Sequence, residues 1–282
     1  MTSDKKTPYF QERWFDRWIL HIIIVGAGGT GARVMPPLMQ MLRPGDAVSI
    51  IDHDIVEDRN LIRQHFTGRD IGQPKALVLR SRYQREGIIS LAFQQQLTAA
   101  NAETLGSQVL AVVREYGSRP VGTIIIGCVD NAAARRAIYT LTRTVPGNST
   151  AWIDVGNEMR AGQVLLSLKS WSLKVTGPGL TSGYDFPVAC SLAGLQEAMP
   201  QLLRDDPTDT TEGCAQRMDL QTVQVNHMAA AAVINVVSWL ILGIPFTSCG
   251  AFFSTLNTMQ PIRIAGISGL TLLPETTYAI SA

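Results

Sequence analysis

A group of charged and amide side chains between residues 52 and 75 could handle a phosphorylated substrate. It contains Asp52, Asp54, Glu57, Asn60, Arg63, Gln64 and Lys75. Arginine, lysine and Mg²⁺ can stabilise the charge that grows on phosphoryl oxygens when a carboxylate attacks an α-phosphate and pyrophosphate departs. Hydride transfer has no need for such a group. The segment therefore favours adenylation chemistry over redox chemistry.

A glycine-rich segment upstream could hold the phosphates themselves. The stretch IIIVGAGGTGARV places Gly26, Gly28, Gly29 and Gly31 between an apolar β-branched run and a helical pattern. Glycines let the backbone approach phosphates closely, and a helix N-terminus supplies unpaired N–H groups. Asp52 ends the next predicted strand, where its carboxylate could bind ribose hydroxyls. This unit alone predicts a nucleotide and leaves ATP and NAD both open.

The elements that must position these residues alternate between strands and helices. We predict an α/β fold with a Rossmann-like mixed sheet, parallel in its first half, with antiparallel strands toward the C-terminus and helices on both faces. The expected strands are His21–Val25, Ala47–Asp52, Ile89–Phe93, Thr123–Cys128, Trp152–Val155 and Gln163–Leu168. The expected helices end near Leu42, start near Pro74, and span about 101–116 and 131–144.

The remaining chain is less regular in its pattern. Pro36 and Pro37 lie inside the first predicted helix, which we expect them to kink or shorten. Residues 170–213 carry Gly, Pro, Thr and Asp clusters and are expected to be an irregular insertion. Residues 228–245 are apolar and predict a helix buried in a core or subunit interface rather than a membrane span. A hairpin is expected at about 251–264.

Composition limits the possible partners and location. The chain has 282 residues, 46% hydrophobic and 17% charged, with a net charge of +1. This balance gives no reason to expect a nucleic acid or an anionic membrane as a partner. The four cysteines contain no C-x-x-C pair, so no zinc is expected and reduced thiols in the cytoplasm fit best. Residues 1–19 carry no secretory pattern and are predicted to form an N-terminal helical arm.

Four ordered motifs resemble one known superfamily. GxGGxG, then DxDxVExxNLxRQ, DIGxxKA and CVDNAAARR, within about residues 20–140, resemble the ThiF, MoeB and ubiquitin-activating enzymes. Within that superfamily, the sequence as a whole resembles the ThiF-like proteins of the plasmid-associated PRTRC gene set. The resemblance implies a ThiF-type adenylation domain over residues 20–282 with a crossover insertion at about 170–213.

The resemblance assigns a role to each matching residue. Arg63 and Lys75 would contact the ATP phosphates, Asn60 would support them, Asp52 would hold the ribose, and Asp130 would face Mg²⁺ and the reacting phosphate. Arg63 and Lys75 could instead be solvated surface charges, and Asp130 could be a helix N-cap. The implied nucleotide-binding set is Gly26, Gly28, Gly29, Gly31, Asp52, Asp54, Asn60, Arg63, Gln64, Lys75, Asp130 and Asn131.

A cysteine could extend the chemistry from adenylation to a thioester. Cys214 stands where ubiquitin-activating relatives carry their acyl-accepting thiol, close to the start of the last long helix, whose dipole would lower a thiol pKa. Cys190 is the second candidate. An inert thiol at position 214 is an equal alternative, because MoeB-like members only adenylate. Cys128 and Cys249 are expected to be structural.

The expected function is ATP- and Mg²⁺-dependent adenylation of the C-terminal carboxylate of a small ubiquitin-like protein. A conjugating-enzyme-like acceptor could follow, and the resemblance implies a homodimer in which Arg13 or Arg17 of one subunit reaches the ATP of the other. The alternatives are an adenylating enzyme acting on a tRNA or a peptide, an NAD-dependent oxidoreductase, and a non-catalytic scaffold of the same fold.

Overall fold

The structure is a computed structural model of the 282-residue chain. It describes residues 19–115, 121–145, 149–175, 186–192, 200–204, 223–243, 248–255 and 257–263. The predicted N-terminal arm, with Arg13 and Arg17, lies outside the described residues, and so does Cys214.

The described strands form one nine-stranded sheet. Its order is β3-β2-β1-β4-β5-β6-β8-β9, and β7 also pairs with β6. The strands are β1 (Ile19–Val25), β2 (Ala47–Ile51), β3 (Ile89–Phe93), β4 (Val121–Gly127), β5 (Thr150–Asn157), β6 (Ala161–Val175), β7 (Phe186–Leu192), β8 (Ser248–Ser254) and β9 (Asn257–Arg263).

The sheet changes direction at the β5–β6 junction. The pairs between β1 and β2, β2 and β3, β1 and β4, and β4 and β5 are all parallel. From β6 onward, each pairing is antiparallel. Ligands of such open sheets bind at the carboxyl ends of the parallel strands, near the point where the strand order reverses. Here that point lies at the ends of β1 and β4, because β1 lies between β2 and β4.

Helices cover both faces of the sheet. They are α1 (Gly31–Met41), α2 (Lys75–Tyr83), α3 (Ala102–Glu115), α4 (Ala132–Thr144) and α5 (Val223–Leu242). Successive residues of β1 point to opposite faces, so Ile22 and Ile24 pack with α1, α2 and α5, while Ile23 and Val25 pack with α3 and α4. The predicted fold class is thereby confirmed.

Helix α1 is not shortened by its prolines, and part of the segment expected to be irregular forms strands. Helix α1 runs through Pro36 and Pro37 to Met41, with Leu38 and Met39 buried against the core. The Arg85 guanidinium donates hydrogen bonds to the carbonyl groups of Met39 and Leu42, which satisfies acceptors at the end of this helix. Within the segment expected to be irregular, residues 170–175 continue β6 and residues 186–192 form β7, because main-chain pairing extends the sheet beyond its polar pattern.

Helix α5 is the one described helix that is long and apolar enough to cross a membrane by length and composition. Its most apolar 18-residue window has a mean hydropathy of 1.7, and 56% of that window is buried within the protein. Ala229, Val233, Val236, Val237 and Leu240 belong to the same core cluster as β1, β5 and α1. This packing is what a core helix requires, and a core helix passes the same test.

Candidate functional site

The turn between β1 and α1 is built so tightly that two of its glycines leave no room for a side chain. Gly26 has φ +93°, and a Cβ there would lie 2.4 Å from the Cys128 carbonyl oxygen. A Cβ on Gly31 would lie 2.0 Å from the carbonyl oxygen of Gly26. Gly28 differs, since a Cβ there meets nothing within 4 Å. The side of the turn at Gly28 is therefore open to a ligand.

The main chain of this turn offers donors to such a ligand. The Ala27 N–H donates to Asp52 Oδ2 at 2.5 Å, which ties the turn to the end of β2. The N–H groups of Gly28, Gly29 and Thr30 make no hydrogen bond within the described residues. They lie beside the N-terminus of α1, where the helix dipole favours an anion. We therefore refer to residues 26–31 as the phosphate loop.

Asp52, at the end of β2, holds the phosphate loop by accepting a hydrogen bond from it. Its Oδ1 accepts from the Asp54 N–H at 2.7 Å, and its Oδ2 accepts from Ala27. Burial raises the pKa of this carboxyl above its ordinary value, while the Ala27 N–H and the nearby Lys75 charge oppose the rise. Each carboxylate oxygen has a second lone pair. Asp52 can therefore hold the loop and still accept a hydrogen bond from a ribose hydroxyl.

Lys75 and Arg63 belong to the buried wall of the site. The Lys75 ammonium lies 2.8 Å from Asp54 Oδ2, and its side chain is only 5% exposed. Lys75 is the first residue of α2, and its N–H donates to the Asp54 carbonyl at 2.9 Å. Arg63 is 6% exposed. Neither cation is a solvated surface charge, the alternative that the sequence left open.

Gln64, which follows the turn that carries Asn60, has a buried side-chain amide without a hydrogen-bond partner in the described structure. Asn60 Oδ1 accepts from the Glu57 N–H at 2.9 Å and so fixes the short 3₁₀ turn at residues 58–60. Gln64 is 4% exposed, and neither its amide oxygen nor its amide nitrogen finds a hydrogen-bond partner in the described structure. An unsatisfied buried amide costs about 1–3 kcal/mol. Such a group at a cavity wall indicates a ligand that would satisfy it.

Asp130 stands at the start of α4 without capping it. The N-cap is Asn131, whose Oδ1 accepts from the Ala134 N–H at 2.8 Å. Asp130 is exposed, and its Oδ1 accepts from Asn131 Nδ2 at 3.0 Å. The N-cap alternative for Asp130 is therefore not what the structure shows. Its carboxylate remains available at the cavity.

A buried ion pair holds the segment before Asp130 in place. Arg135 Nε lies 3.1 Å from each carboxylate oxygen of Asp154, and both side chains are buried. The same guanidinium donates to the Val129 carbonyl at 3.3 Å. Burial raises the pKa of Asp154, and the Arg135 charge opposes the rise. The pair joins β5 to α4 directly beneath the residue that precedes Asp130.

Three polar residues that the sequence analysis missed also converge on the phosphate loop. Thr30 Oγ1 donates to Asn226 Oδ1 at 3.0 Å, and Asn157 Nδ2 donates to Thr30 Oγ1 at 2.7 Å. Asn157 Nδ2 also lies 3.2 Å from Asn226 Oδ1. Asn157 ends β5 and Asn226 lies in the first turn of α5, so neither stands near a recognisable motif.

These side chains surround a single cavity of about 770 Å³, a size common for small-molecule and cofactor sites. It brings together all the predicted nucleotide-binding residues except Gly31, the last residue of the phosphate loop. Cys128 also borders it, but burial, and to a lesser degree Asp154, raises the pKa of that thiol far above its ordinary value. Cys190 contributes its backbone to β7.

Two places at the cavity could face a divalent cation: the cluster of Asp52, His53 and Asp54, and the carboxylate of Asp130. Ligand atoms of Asp52, His53 and Asp54 lie within 4.8 Å of one another. Asp52 already accepts two backbone N–H groups, and Asp54 is paired with Lys75 and His53. Asp130 has one recorded partner and offers the hard oxygen ligands that Mg²⁺ prefers. Asp130 therefore fits the cation better.

Comparison with known proteins places the chain among a defined set of relatives. The model described as the ThiF family matches residues 10–240. A sulfur carrier protein adenylyltransferase from Thermus thermophilus is 32% identical over 118 residues, which are 40% of this chain and 38% of that protein. The catalytic subunit of the NEDD8-activating enzyme E1 from Saccharomyces cerevisiae is 29% identical over 185 residues, 64% of this chain and 54% of that protein.

The chain thus spans roughly a third to a half of the length of these curated relatives. Among solved structures, Escherichia coli MccB determined with ATP has a TM-score of 0.53, with 15% identity, covering 90% of this chain and 66% of that one. PaaA also has a TM-score of 0.53 at 15% identity, covering 87% of this chain and 64% of that one. At this identity the likeness shows the fold alone.

Proposed function

The chain belongs to the ThiF family, and on that premise we propose that it adenylates the C-terminal carboxylate of a small ubiquitin-like carrier protein with ATP and Mg²⁺. The curated relatives named above adenylate a sulfur carrier protein or activate NEDD8. Both names describe activation of a small protein, which supports a substrate of the same class.

The observation that carries the proposal is the single cavity that holds unpaired phosphate-loop amides, buried cations and an exposed carboxylate together. Lys75 and Arg63 form its buried wall, and Asp130 lies at its rim. An oxidoreductase would use the loop and Asp52 but would leave Lys75, Arg63 and Asp130 without a task. Adenylation uses every member of the set.

In the proposed reaction, a carboxylate oxygen of the carrier protein attacks the α-phosphorus of ATP, and the bond from that phosphorus to the bridging oxygen of pyrophosphate breaks. The products are an acyl-adenylate and pyrophosphate. The loop N–H groups, Lys75 and Arg63 would stabilise the charge that grows on the phosphoryl oxygens. Asp130 would hold the Mg²⁺, which supplies further charge neutralisation.

ATP–pyrophosphate exchange tests the assignment directly. The purified chain should catalyse exchange only when a small ubiquitin-like protein ending in glycine is present. Lys75→Met and Asp130→Asn should each lower the exchange rate by about 100-fold or more, because each removes a preorganised charge from the transition state. Lys169→Met and Asp58→Asn alter exposed residues outside the cavity and should leave exchange unchanged. Unchanged exchange in the Lys75 and Asp130 variants would refute the site assignment.

A thioester at Cys214 is a further step of the proposal. The thiolate sulfur would attack the acyl carbon of the acyl-adenylate, and AMP would leave. A carrier adduct that dithiothreitol releases, present in Cys190→Ala and missing in Cys214→Ala, is the expected result. An adduct that survives in Cys214→Ala would reassign the thiol, and exchange without any adduct would indicate an enzyme that only adenylates.

A further inference from the structure

Asn226 meets the phosphate loop in two independent ways. Its Oδ1 accepts from Thr30 Oγ1 at 3.0 Å and lies 3.2 Å from Asn157 Nδ2. Its side-chain amide also lies directly against Gly29. A Cβ placed on Gly29 would be 2.8 Å from the Cγ, the Oδ1 and the Nδ2 atoms of Asn226. One side chain of α5 thus contacts the loop both by hydrogen bonding and by packing.

The chemistry of Thr30 points the same way. Thr30 occupies the N-cap position of α1, where a threonine usually accepts a hydrogen bond from the first helical turn. Here it makes no side-chain cap. Its hydroxyl is engaged instead by Asn157, 127 residues away in the sequence, and by Asn226, 196 residues away. A hydroxyl at this place serves to anchor the loop to β5 and α5 rather than to cap α1.

The hydrogen bonds of Thr30 with Asn157 and Asn226 hold a loop that offers N–H groups to a ligand. The N–H groups of Gly28, Gly29 and Thr30 are without partners in the described structure, and Gly28 faces open space. Donors that bind a developing charge act best when they are fixed before the ligand arrives. A loop with few hydrogen bonds of its own needs an external support to be fixed in this way.

We infer that Asn226, acting with Asn157 through Thr30 and Gly29, is a positioning residue that fixes the phosphate loop in the conformation that receives an anionic phosphate ligand. Gly29 lacks a side chain because Asn226 occupies the space that a side chain would need. Helix α5 therefore completes the nucleotide site, although it contributes no residue to the motifs of the first half. The effect on ATP rests on the proposed function, whereas the effect on the loop does not.

The test is a double-mutant cycle on Gly29 and Asn226. Gly29→Ala pushes a methyl group into the Asn226 amide and should disturb the loop. Asn226→Ala removes all three clashing atoms, so the methyl group should be accommodated in the double variant. Gly29 does not have the positive φ that would strain an alanine. Gly29→Ala should therefore disturb the loop much less in the Asn226→Ala background than it does alone.

The first readout needs no ligand. The amides of Gly26, Ala27 and Ala32 are hydrogen-bonded at the two ends of the loop and are therefore protected from exchange. Their hydrogen exchange in the nucleotide-free chain should become about tenfold faster in Asn226→Ala, with no further acceleration in the double variant. Asn235→Ala is the matched control, since Asn235 is exposed on the same helix. Unchanged exchange in Asn226→Ala, or additive acceleration in the double variant, would overturn the inference.

The second readout is ATP affinity and turnover. Asn226→Ala should raise the dissociation constant and the KM for ATP by about tenfold, with the KM for the carrier protein unchanged. A general structural defect would not change the KM for ATP more than the KM for the carrier protein. An equal change in the two KM values would therefore argue against a positioning role. If the wild-type chain binds no adenine nucleotide, the proposed function fails, and the hydrogen-exchange cycle still decides the role of Asn226.

Discussion

At the scale of single residues, Gln64 shows how a site can be recognised from what the protein leaves unsatisfied. Its amide is buried, and neither polar atom has a hydrogen-bond partner in the described structure. Gln64 lines the same cavity as Asn60, Arg63 and the phosphate loop. Folding gains nothing from such a group, because desolvation of an amide without a hydrogen bond is unfavourable. The residue is therefore better explained by a bound ligand than by stability.

Replacing this amide should separate stability from binding. Gln64→Met keeps an unbranched side chain of similar length and removes the unsatisfied polar atoms. The free energy of unfolding of the nucleotide-free chain should rise by about 1 kcal/mol, measured by urea denaturation. ATP affinity, measured by calorimetry, should fall by about tenfold.

Gln94→Met serves as the control for that substitution, because Gln94 is exposed and outside the cavity. It should change neither quantity. A loss of stability in Gln64→Met would mean that the amide has a structural partner, and unaltered ATP affinity would remove Gln64 from the nucleotide site.

The residue scale also separates what the sequence could reveal from what it could not. That Gly26, Asp52 and Lys75 line one cavity could be predicted, because each lies within a short motif next to a strong strand or helix pattern. The contacts of Asn157 and Asn226 could not be predicted. Each is an ordinary polar residue in its own segment, and its contact with the loop exists only because the fold brings β5 and α5 against the loop.

At the scale of elements, the strongest sequence signals were the buried parallel strands. The bounds of β3 agree with the prediction, and the other strands of the first half differ by one or two residues. Apolar β-branched runs specify such strands because both of their faces are buried. The extension of β6 to Val175 was missed, since main-chain pairing with β7 rather than an apolar pattern defines it.

The pairing of β1 with β2 contains a buried histidine that makes stability depend on pH. His21 is fully buried, with Nε2 and Ser49 Oγ 2.9 Å apart. Burial lowers the pKa of this imidazole from 6.5 to about 3. The unfolded chain therefore binds a proton that the folded chain does not. Stability rises with pH in this range and is lost as the pH falls below about 6.5.

A non-titrating variant should reveal this contribution. His21→Gln keeps an amide that can reach Ser49 and removes the titration. Between pH 7 and pH 5, the unfolding free energy of the wild-type chain should fall by about 2 kcal/mol more than that of the variant. Urea denaturation at the two pH values measures the difference. Equal losses would show that His65 and His227, whose pKa values are also lowered by burial, or other groups carry the dependence.

At the scale of the whole molecule, the cavity draws on both halves of the chain. The parallel half supplies the phosphate loop, Lys75 and Asp130, and the later part supplies Asn157 and Asn226. One hydrophobic cluster runs from Leu20 to Phe253 and includes α5. The cavity also borders Leu97 and Val129, which belong to or pack against the cluster on the other face of the same sheet. A ligand therefore contacts elements on both faces of one sheet, and its binding energy should stabilise the described fold as a unit rather than one segment of it.

Linkage turns this architecture into a test of the nucleotide itself. ATP with Mg²⁺ at about 100 times its dissociation constant should raise the unfolding free energy by about 2.7 kcal/mol. Because one sheet joins the elements that line the cavity, urea denaturation should remain a single transition whose midpoint moves as a whole. NAD should have little effect, since it leaves Lys75 and Arg63 without a terminal phosphate to bind.

Lys75→Met tests whether the shift comes from the cavity, and Lys169→Met is its matched control. Lys75→Met should remove most of the ATP-dependent shift, while Lys169→Met should keep all of it, because Lys169 is exposed and outside the cavity lining. A shift with NAD that equals or exceeds the shift with ATP would favour an oxidoreductase built on the same loop. If Lys75→Met keeps the ATP-dependent shift, the nucleotide binds elsewhere. A buried ammonium beside the phosphates would balance their negative charge, so its removal from a true site should weaken binding.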